Sequence, residues 1–268
     1  MKGGKAVYES LLSACREDGA LLFVLLDPDR FMGNAVGGFV RAAEHAGVDG
    51  FLVGGSLSAV TDMTQVVAEV KSATTRPVIL FPGGVHHVTG AADAMLLLSV
   101  LSGRNPEFLI GQHVVAAPII RRLGVECIST AYLLVESGRT TAAEFMSATK
   151  PLPRHKPELA AAHAMAAELL GFRCVYLEAG SGADEPVPDS LVEAVARKIE
   201  IPIIVGGGIR SPETAASKVR AGASVVVVGN YFEEKGHEGD LQAFSDAVHG
   251  TQRGKPRNDP LSSHTAER

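Results

Sequence analysis

Asp27-Pro28-Asp29 follows directly on the apolar run Leu21–Leu26. Proline at 28 ends that run and biases Asp27 toward extended backbone, so the carboxylate sits at a strand end. A carboxylate there suits Mg²⁺, which takes one or two protein carboxylates together with substrate phosphates and water. The same pair of residues would also serve a plain turn or a helix cap. The next apolar run, Gly50–Val53, leads into Gly54-Gly55-Ser56, a tight turn with a hydroxyl beside it.

The second half carries a different chemistry. Pro202–Val205 runs into Gly206-Gly207-Gly208-Ile209-Arg210, and Ser224–Val228 runs into Gly229-Asn230. Glycines let backbone N–H groups approach phosphate oxygens, and the helix expected from Pro212 adds favourable partial charge at its N-terminus. Turn-making alone would also use such glycines, but the position of both loops points to a bound phosphate. Upstream, Tyr176-Leu177-Glu178-Ala179-Gly180-Ser181-Gly182 follows another apolar run. Its hydroxyls and Glu178 suit the hydroxyls of a small polyol phosphate, and Glu178 could orient or deprotonate an alcohol; a loop glutamate bound to backbone amides is the alternative. His86, His87 and His113 lack the spacing of a helical zinc site and are read as surface or pocket-lining groups. Cys15, Cys127 and Cys174 form neither a disulfide framework nor a zinc pattern and read as core thiols.

Eight short apolar runs position these groups: Leu21–Leu26, Gly50–Val53, Pro77–Phe81, Ala94–Leu98, Cys127–Val135, Cys174–Leu177, Pro202–Val205 and Ser224–Val228. Runs apolar on both faces suit a parallel sheet, and eight strands close a TIM-type (β/α)₈ barrel, which typically needs about 250 residues. Helices are expected over Ala35–Ala46, Asp62–Ala73, Pro106–Leu123, Pro157–Leu170, Ser190–Lys198, Pro212–Ala221 and Leu241–Val248. Between Phe81 and Ala94 only 12 residues remain, including Pro82-Gly83-Gly84. That is too short for a crossover helix, so the barrel is expected to lack its third helix. Glu136–Lys156 reads as a long polar loop over the C-terminal face.

Residues 1–248 are therefore expected to form one barrel domain, and 249–268 a polar, disordered tail. A net charge of −5 with signs mixed along the chain leaves no basic face for nucleic acid. No signal-like or membrane-length apolar segment is present, so a soluble, cytoplasmic protein is expected.

In this order and on these strands, Leu26-Asp27-Pro28-Asp29, Gly54-Gly55-Ser56, Tyr176–Gly182, Gly206–Arg210 and Gly229-Asn230 resemble the geranylgeranylglyceryl phosphate synthase family. The segments Asn105–His113 and Ser129–Gly138 resemble it too, closest to the archaeal and Bacteroidetes-like group, over about residues 15 to 235. Each motif alone is weak; the ordered set is specific. The resemblance implies a modified barrel lacking the third helix. It implies Asp27 and Ser56 at Mg²⁺, and Tyr176, Leu177, Glu178, Ala179, Gly180, Ser181, Gly182, Gly207, Gly208, Gly229 and Asn230 at sn-glycerol 1-phosphate. Glu178 matches the carboxylate beside the glycerol hydroxyl. A homo-oligomer, dimer or hexamer, is expected by the same analogy. Some bacterial members carry a lysine two residues before the metal aspartate; Leu25 stands here, which argues against that subgroup's longer donors.

The implied reaction joins the glycerol 3-hydroxyl to a polyprenyl diphosphate, geranylgeranyl first and heptaprenyl as the alternative, in ether-lipid synthesis. Asp27 and Glu178 would be the catalytic pair, with an apolar channel near Tyr132 for the prenyl tail. No Asp-Asp-x-x-Asp occurs, which sets the chain apart from chain-elongating prenyl enzymes. Two rivals remain: another phosphate-binding barrel isomerase or synthase, and a catalytically silent barrel that only binds a phosphorylated ligand.

Overall fold

A computed structural model describes residues 6–17, 19–30, 36–56, 62–234 and 237–254. Eight parallel strands close a barrel in sequence order: β1 (Leu21–Leu26), β2 (Gly50–Gly54), β3 (Val78–Phe81), β4 (Ala94–Val100), β5 (Glu126–Leu134), β6 (Cys174–Glu178), β7 (Ile203–Gly206) and β8 (Val225–Val228). β8 returns to β1 in register, Leu21 against Val225. The expected barrel is the observed one.

The strands divide their side chains between two cores. Leu22, Val24 and Leu26 of β1 face outward with Val53, Leu80, Leu133 and Val205, under the helices. Leu21 and Phe23 face inward with Leu52, Ile79, Leu96, Tyr176 and Val227. Successive strand residues point to opposite faces, and burial on both faces is why these runs show no polar alternation.

The outer layer comprises α2 (Val36–His45), α3 (Met63–Ser72), α4 (Gln112–Leu123), α5 (Ala142–Ser147), α6 (Pro157–Leu169), α7 (Asp189–Ala196), α8 (Pro212–Ala221), α9 (Asn230–Glu233) and α10 (Leu241–His249). In α8, Ser211 accepts a hydrogen bond from the Thr214 amide, Pro212 takes the first turn, and Gly222 closes the helix with φ of 119°. Each is the residue type its position favours. Position 35, the expected start of α2, and tail positions 255–268 lie outside the described residues.

Between β3 and β4 there is one 3₁₀ turn, Val85–His87, in place of a helix. The β3–β4 seam is correspondingly slight, with two registered pairs against seven between β4 and β5. Three helices exceed the sequence expectation, the four-residue α9 among them. Within the supposed loop Glu136–Lys156, Thr141 caps α5 by accepting from the Glu144 amide at 3.4 Å. At the chain start, α1 (Val7–Glu17) covers the N-terminal end of the barrel, packing Tyr8, Leu11 and Cys15 against the inner core.

The α1 cap is latched by one carboxylate. Glu126, at the start of β5, accepts from the Val7 amide at 2.6 Å and the Tyr8 amide at 3.2 Å. The Arg173 guanidinium lies 5.0 Å from the Tyr8 ring centre, and the Tyr8 hydroxyl donates to Arg173 O at 2.7 Å. A carboxylate at a helix N-terminus satisfies donors that have no partner within the helix. Glu126→Ala should therefore cost about 1 to 2 kcal/mol. Thermal unfolding is expected to show a Tm lowered by several degrees, with kcat unchanged because the latch lies at the barrel end opposite the site.

Candidate functional site

Strand ends and the loops that follow them bring the predicted groups to one cavity at the C-terminal mouth, about 200 Å³ in volume. Its wall includes Asp27 after β1, Gly55 and Ser56 after β2, Tyr176 and Glu178 of β6, Ser181 and Gly182 beyond it, Gly207 and Gly208 after β7, and Gly229 and Asn230 after β8. Not every residue of the Tyr176–Gly182 segment reaches it. Leu177 and Ala179 are fully buried in the outer core, because strand alternation turns them away from the barrel interior. Leu25, two residues before Asp27, lines the cavity as an apolar residue.

Glu178 is the chemically distinctive group. It is 5% exposed, and burial raises its carboxyl from the ordinary range to about 7. One firm hydrogen bond favours the charged form: the Gly180 amide donates to Oε1 at 2.6 Å. The Tyr176 hydroxyl, fully buried, lies near enough to favour the carboxylate too, yet no bond between them meets ordinary geometry and the hydroxyl has no other partner. A buried hydroxyl without a partner is costly unless a ligand satisfies it. Gly207 makes this corner possible: at φ of 82°, any Cβ there would collide with Glu178 Oε1 and approach the Gly180 amide nitrogen to 2.7 Å. Only glycine adopts that backbone without strain.

On the opposite wall, Asp27 Oδ1 accepts from the Asp29 amide at 3.0 Å, and partial burial raises its carboxyl above the usual range. Three residues on, Arg30 donates from Nη1 to Glu233 Oε2 at 2.7 Å, while its Nε stands 3.8 Å from Asp27 Oδ2. Glu233 also accepts from Asn230 Nδ2 at 2.9 Å. Asn230 Oδ1 accepts from the Ser181 hydroxyl at 2.9 Å and the Gly182 amide at 3.1 Å. A polar chain thus links the loops after β1, β8 and β6. Sequence reasoning missed Arg30 and Glu233. The one available signal was the placement of Glu233 three residues after Asn230, one helical turn on.

A second cavity of about 140 Å³ adjoins the first, and Gly55, Ser56, Phe81 and Tyr132 line both. Its wall is mainly apolar, with Val85, Val88, Met95, Leu97, Phe108 and Met146, and it occupies the side of the barrel where the third helix is missing. His113 lines it and burial holds its imidazole below the usual value; His86 and His87 line neither cavity. His87 is buried beside His86, its imidazole pushed down to about 4 with burial the larger cause, and its Nδ1 accepts from the Gly83 amide at 3.0 Å. Among the described residues, no group of three or more His, Cys, Asp or Glu side chains is placed to hold a metal unaided.

A model of the PcrB family matches residues 15–248. The chain belongs to that family. It is 48% identical over 213 residues to a geranylgeranylglyceryl phosphate synthase of Spirosoma linguale, covering 79% of this chain and 85% of that one. It is 43% identical over 237 residues to the Thermococcus kodakarensis synthase of the same name, covering 88% and 92%. The solved (S)-3-O-geranylgeranylglyceryl phosphate synthase of Thermoplasma acidophilum, in complex with sn-glycerol-1-phosphate, superposes with a TM-score of 0.87 at 31% identity, over 92% of this chain and all of that one. The matched chains are synthases, and this family member is an enzyme of their kind.

The raised carboxyl of Glu178 has two opposite consequences with pH. Between pH 4.5 and about 7 the folded protein holds a proton that the unfolded chain has released, so this group's contribution to stability falls as pH rises. Its capacity to accept a proton grows over the same window. Glu178→Gln should therefore unfold at a Tm above wild type at pH 8 and equal to it near pH 4, measured by calorimetry, while losing most activity throughout.

Proposed function

We propose that this protein is a Mg²⁺-dependent prenyltransferase that forms an ether bond between the 3-hydroxyl of sn-glycerol 1-phosphate and a polyprenyl diphosphate, geranylgeranyl foremost, for ether-lipid synthesis. The observation that carries the reading is the adjacency of the two cavities: a polar mouth with phosphate-type glycine loops and a buried carboxylate shares Gly55, Ser56, Phe81 and Tyr132 with an apolar cavity beside it. A sugar-phosphate isomerase would use the first cavity and has no need of the second.

Glycerol 1-phosphate would sit with its phosphate against Gly207, Gly208 and Gly229, where backbone N–H groups and the start of α8 favour an anion. Its hydroxyls would face Glu178 and the unpartnered Tyr176 hydroxyl. The Asp27 carboxylate and Ser56 hydroxyl are hard oxygen donors on the same wall, a set that fits Mg²⁺ only when phosphate oxygens and water complete it. Bound there, the ion would neutralise charge developing on the leaving diphosphate. Glu178 orients the 3-hydroxyl, whose oxygen bonds to the allylic carbon as the carbon–diphosphate bond breaks. The hydroxyl proton passes to the Glu178 carboxylate, whose raised affinity for protons suits it to the task near neutral pH. The apolar cavity holds the first part of the prenyl chain and keeps water from the reacting carbon.

The test is incubation of purified protein with Mg²⁺, labelled glycerol 1-phosphate and prenyl diphosphates of graded length, followed by extraction of ether lipid. Product that depends on Mg²⁺ is expected; its absence with every donor would defeat the reading. Asp27→Ala should lower kcat/KM by about 100-fold or more while circular dichroism shows the fold retained. Thermal stabilisation by glycerol phosphate without product would instead favour the silent-binder alternative.

A further inference from the structure

We infer that Arg30 is a binding residue for the donor's diphosphate, kept ready by Glu233; this rests on the proposed use of a prenyl diphosphate. Among the described residues, the cavity wall carries three carboxylates, Asp27, Glu178 and Glu233, against two guanidinium groups, Arg30 and Arg210. Two phosphorylated substrates bring more negative charge than one divalent ion at Asp27 would offset, so side-chain cations are needed as well. Arg210 belongs to the loop after β7, directly beyond Gly207 and Gly208, on the glycerol phosphate side. Arg30 belongs to the loop after β1, three residues past Asp27, on the wall assigned to the diphosphate.

The geometry around Arg30 suits a group that changes partners. Its side chain is 54% exposed, whereas the Glu233 side chain it bonds is 5% exposed. The carboxylate is therefore the fixed end and the guanidinium the end that can move. Its approach to Asp27, 3.8 Å from Nε to Oδ2, is longer than a hydrogen bond and readily given up. When Arg30 turns to an incoming diphosphate, Glu233 is not left bare, because Asn230 Nδ2 still donates to it at 2.9 Å. The planar fork of arginine matches phosphate oxygens two at a time, which a lysine ammonium does not. Glu233 thus parks Arg30 in the absence of donor.

Calorimetric titration of inorganic diphosphate and, separately, of glycerol 1-phosphate in Mg²⁺ buffer tests this with wild type, Arg30→Gln, Arg30→Lys and Glu233→Gln. Arg30→Gln should weaken diphosphate binding by about tenfold or more and change glycerol 1-phosphate binding by less than about twofold, with Arg30→Lys between. Glu233→Gln, which frees Arg30 yet keeps an acceptor for Asn230, should leave diphosphate binding equal or tighter. The donor KM in the ether-lipid assay should follow the same order. The assignment is overturned if wild type does not bind diphosphate, if Arg30→Gln binds it as wild type does, or if that variant weakens both ligands alike. Equal loss in Arg30→Gln and Glu233→Gln would also overturn it, marking the pair as a structural strut. If wild type makes no ether lipid yet Arg30→Gln alone loses diphosphate, the transferase reading fails and Arg30 stands as a diphosphate ligand.

Discussion

Burying the Glu178 carboxylate is the constraint around which the mouth of the barrel is arranged. An ionised carboxyl as buried as this one is costly without partners, and here one backbone N–H from Gly180 is the firm one. Room for that bond exists because Gly207 has no side chain, and Gly206 likewise leaves space for the Tyr176 hydroxyl. The residual cost appears as a carboxyl poised near neutrality. A group balanced between its two forms is suited to taking up and returning one proton, and the glycines flanking it are as much part of that property as the glutamate.

The barrel determines which members of a motif matter. Tyr176 and Glu178 face the interior and their neighbours Leu177 and Ala179 face the helices, so a contiguous segment divides into a chemical half and a packing half. The loops after β1, β6 and β8 are then tied by the chain running from Asp27 through Arg30, Glu233 and Asn230 to Ser181. The loops after β1, β6 and β8 are thereby held in one polar frame.

Much of this was legible from the amino acids, for definite reasons. Strands buried on both faces leave unbroken Val, Ile and Leu runs, so all eight were found, and the short third crossover was evident from residue count alone. Helix α5 was missed although Thr141 and Glu144 stand at capping spacing, because the polar, proline-containing stretch around it outweighed a six-residue helix. Helix α1 was missed because its order comes from tertiary partners, Glu126 and Arg173, more than 110 residues away in the chain. The pairing of Arg30 with Glu233 spans 203 positions. No local pattern announces such a contact; only closure of the barrel, β8 against β1, brings the two together.

The thin seam between β3 and β4 gives the molecule a division of labour. The wall of the apolar cavity is drawn from the 3₁₀ turn, β4, α4 and α5, whereas the carboxylates and phosphate-type loops come from β1, β6, β7 and β8. Residues such as Val88, Leu97 or Met146 can change in bulk without disturbing the proton-handling corner. The barrel thereby separates the shape of the apolar cavity from the chemistry of the polar mouth, so that the two can drift independently over evolutionary time.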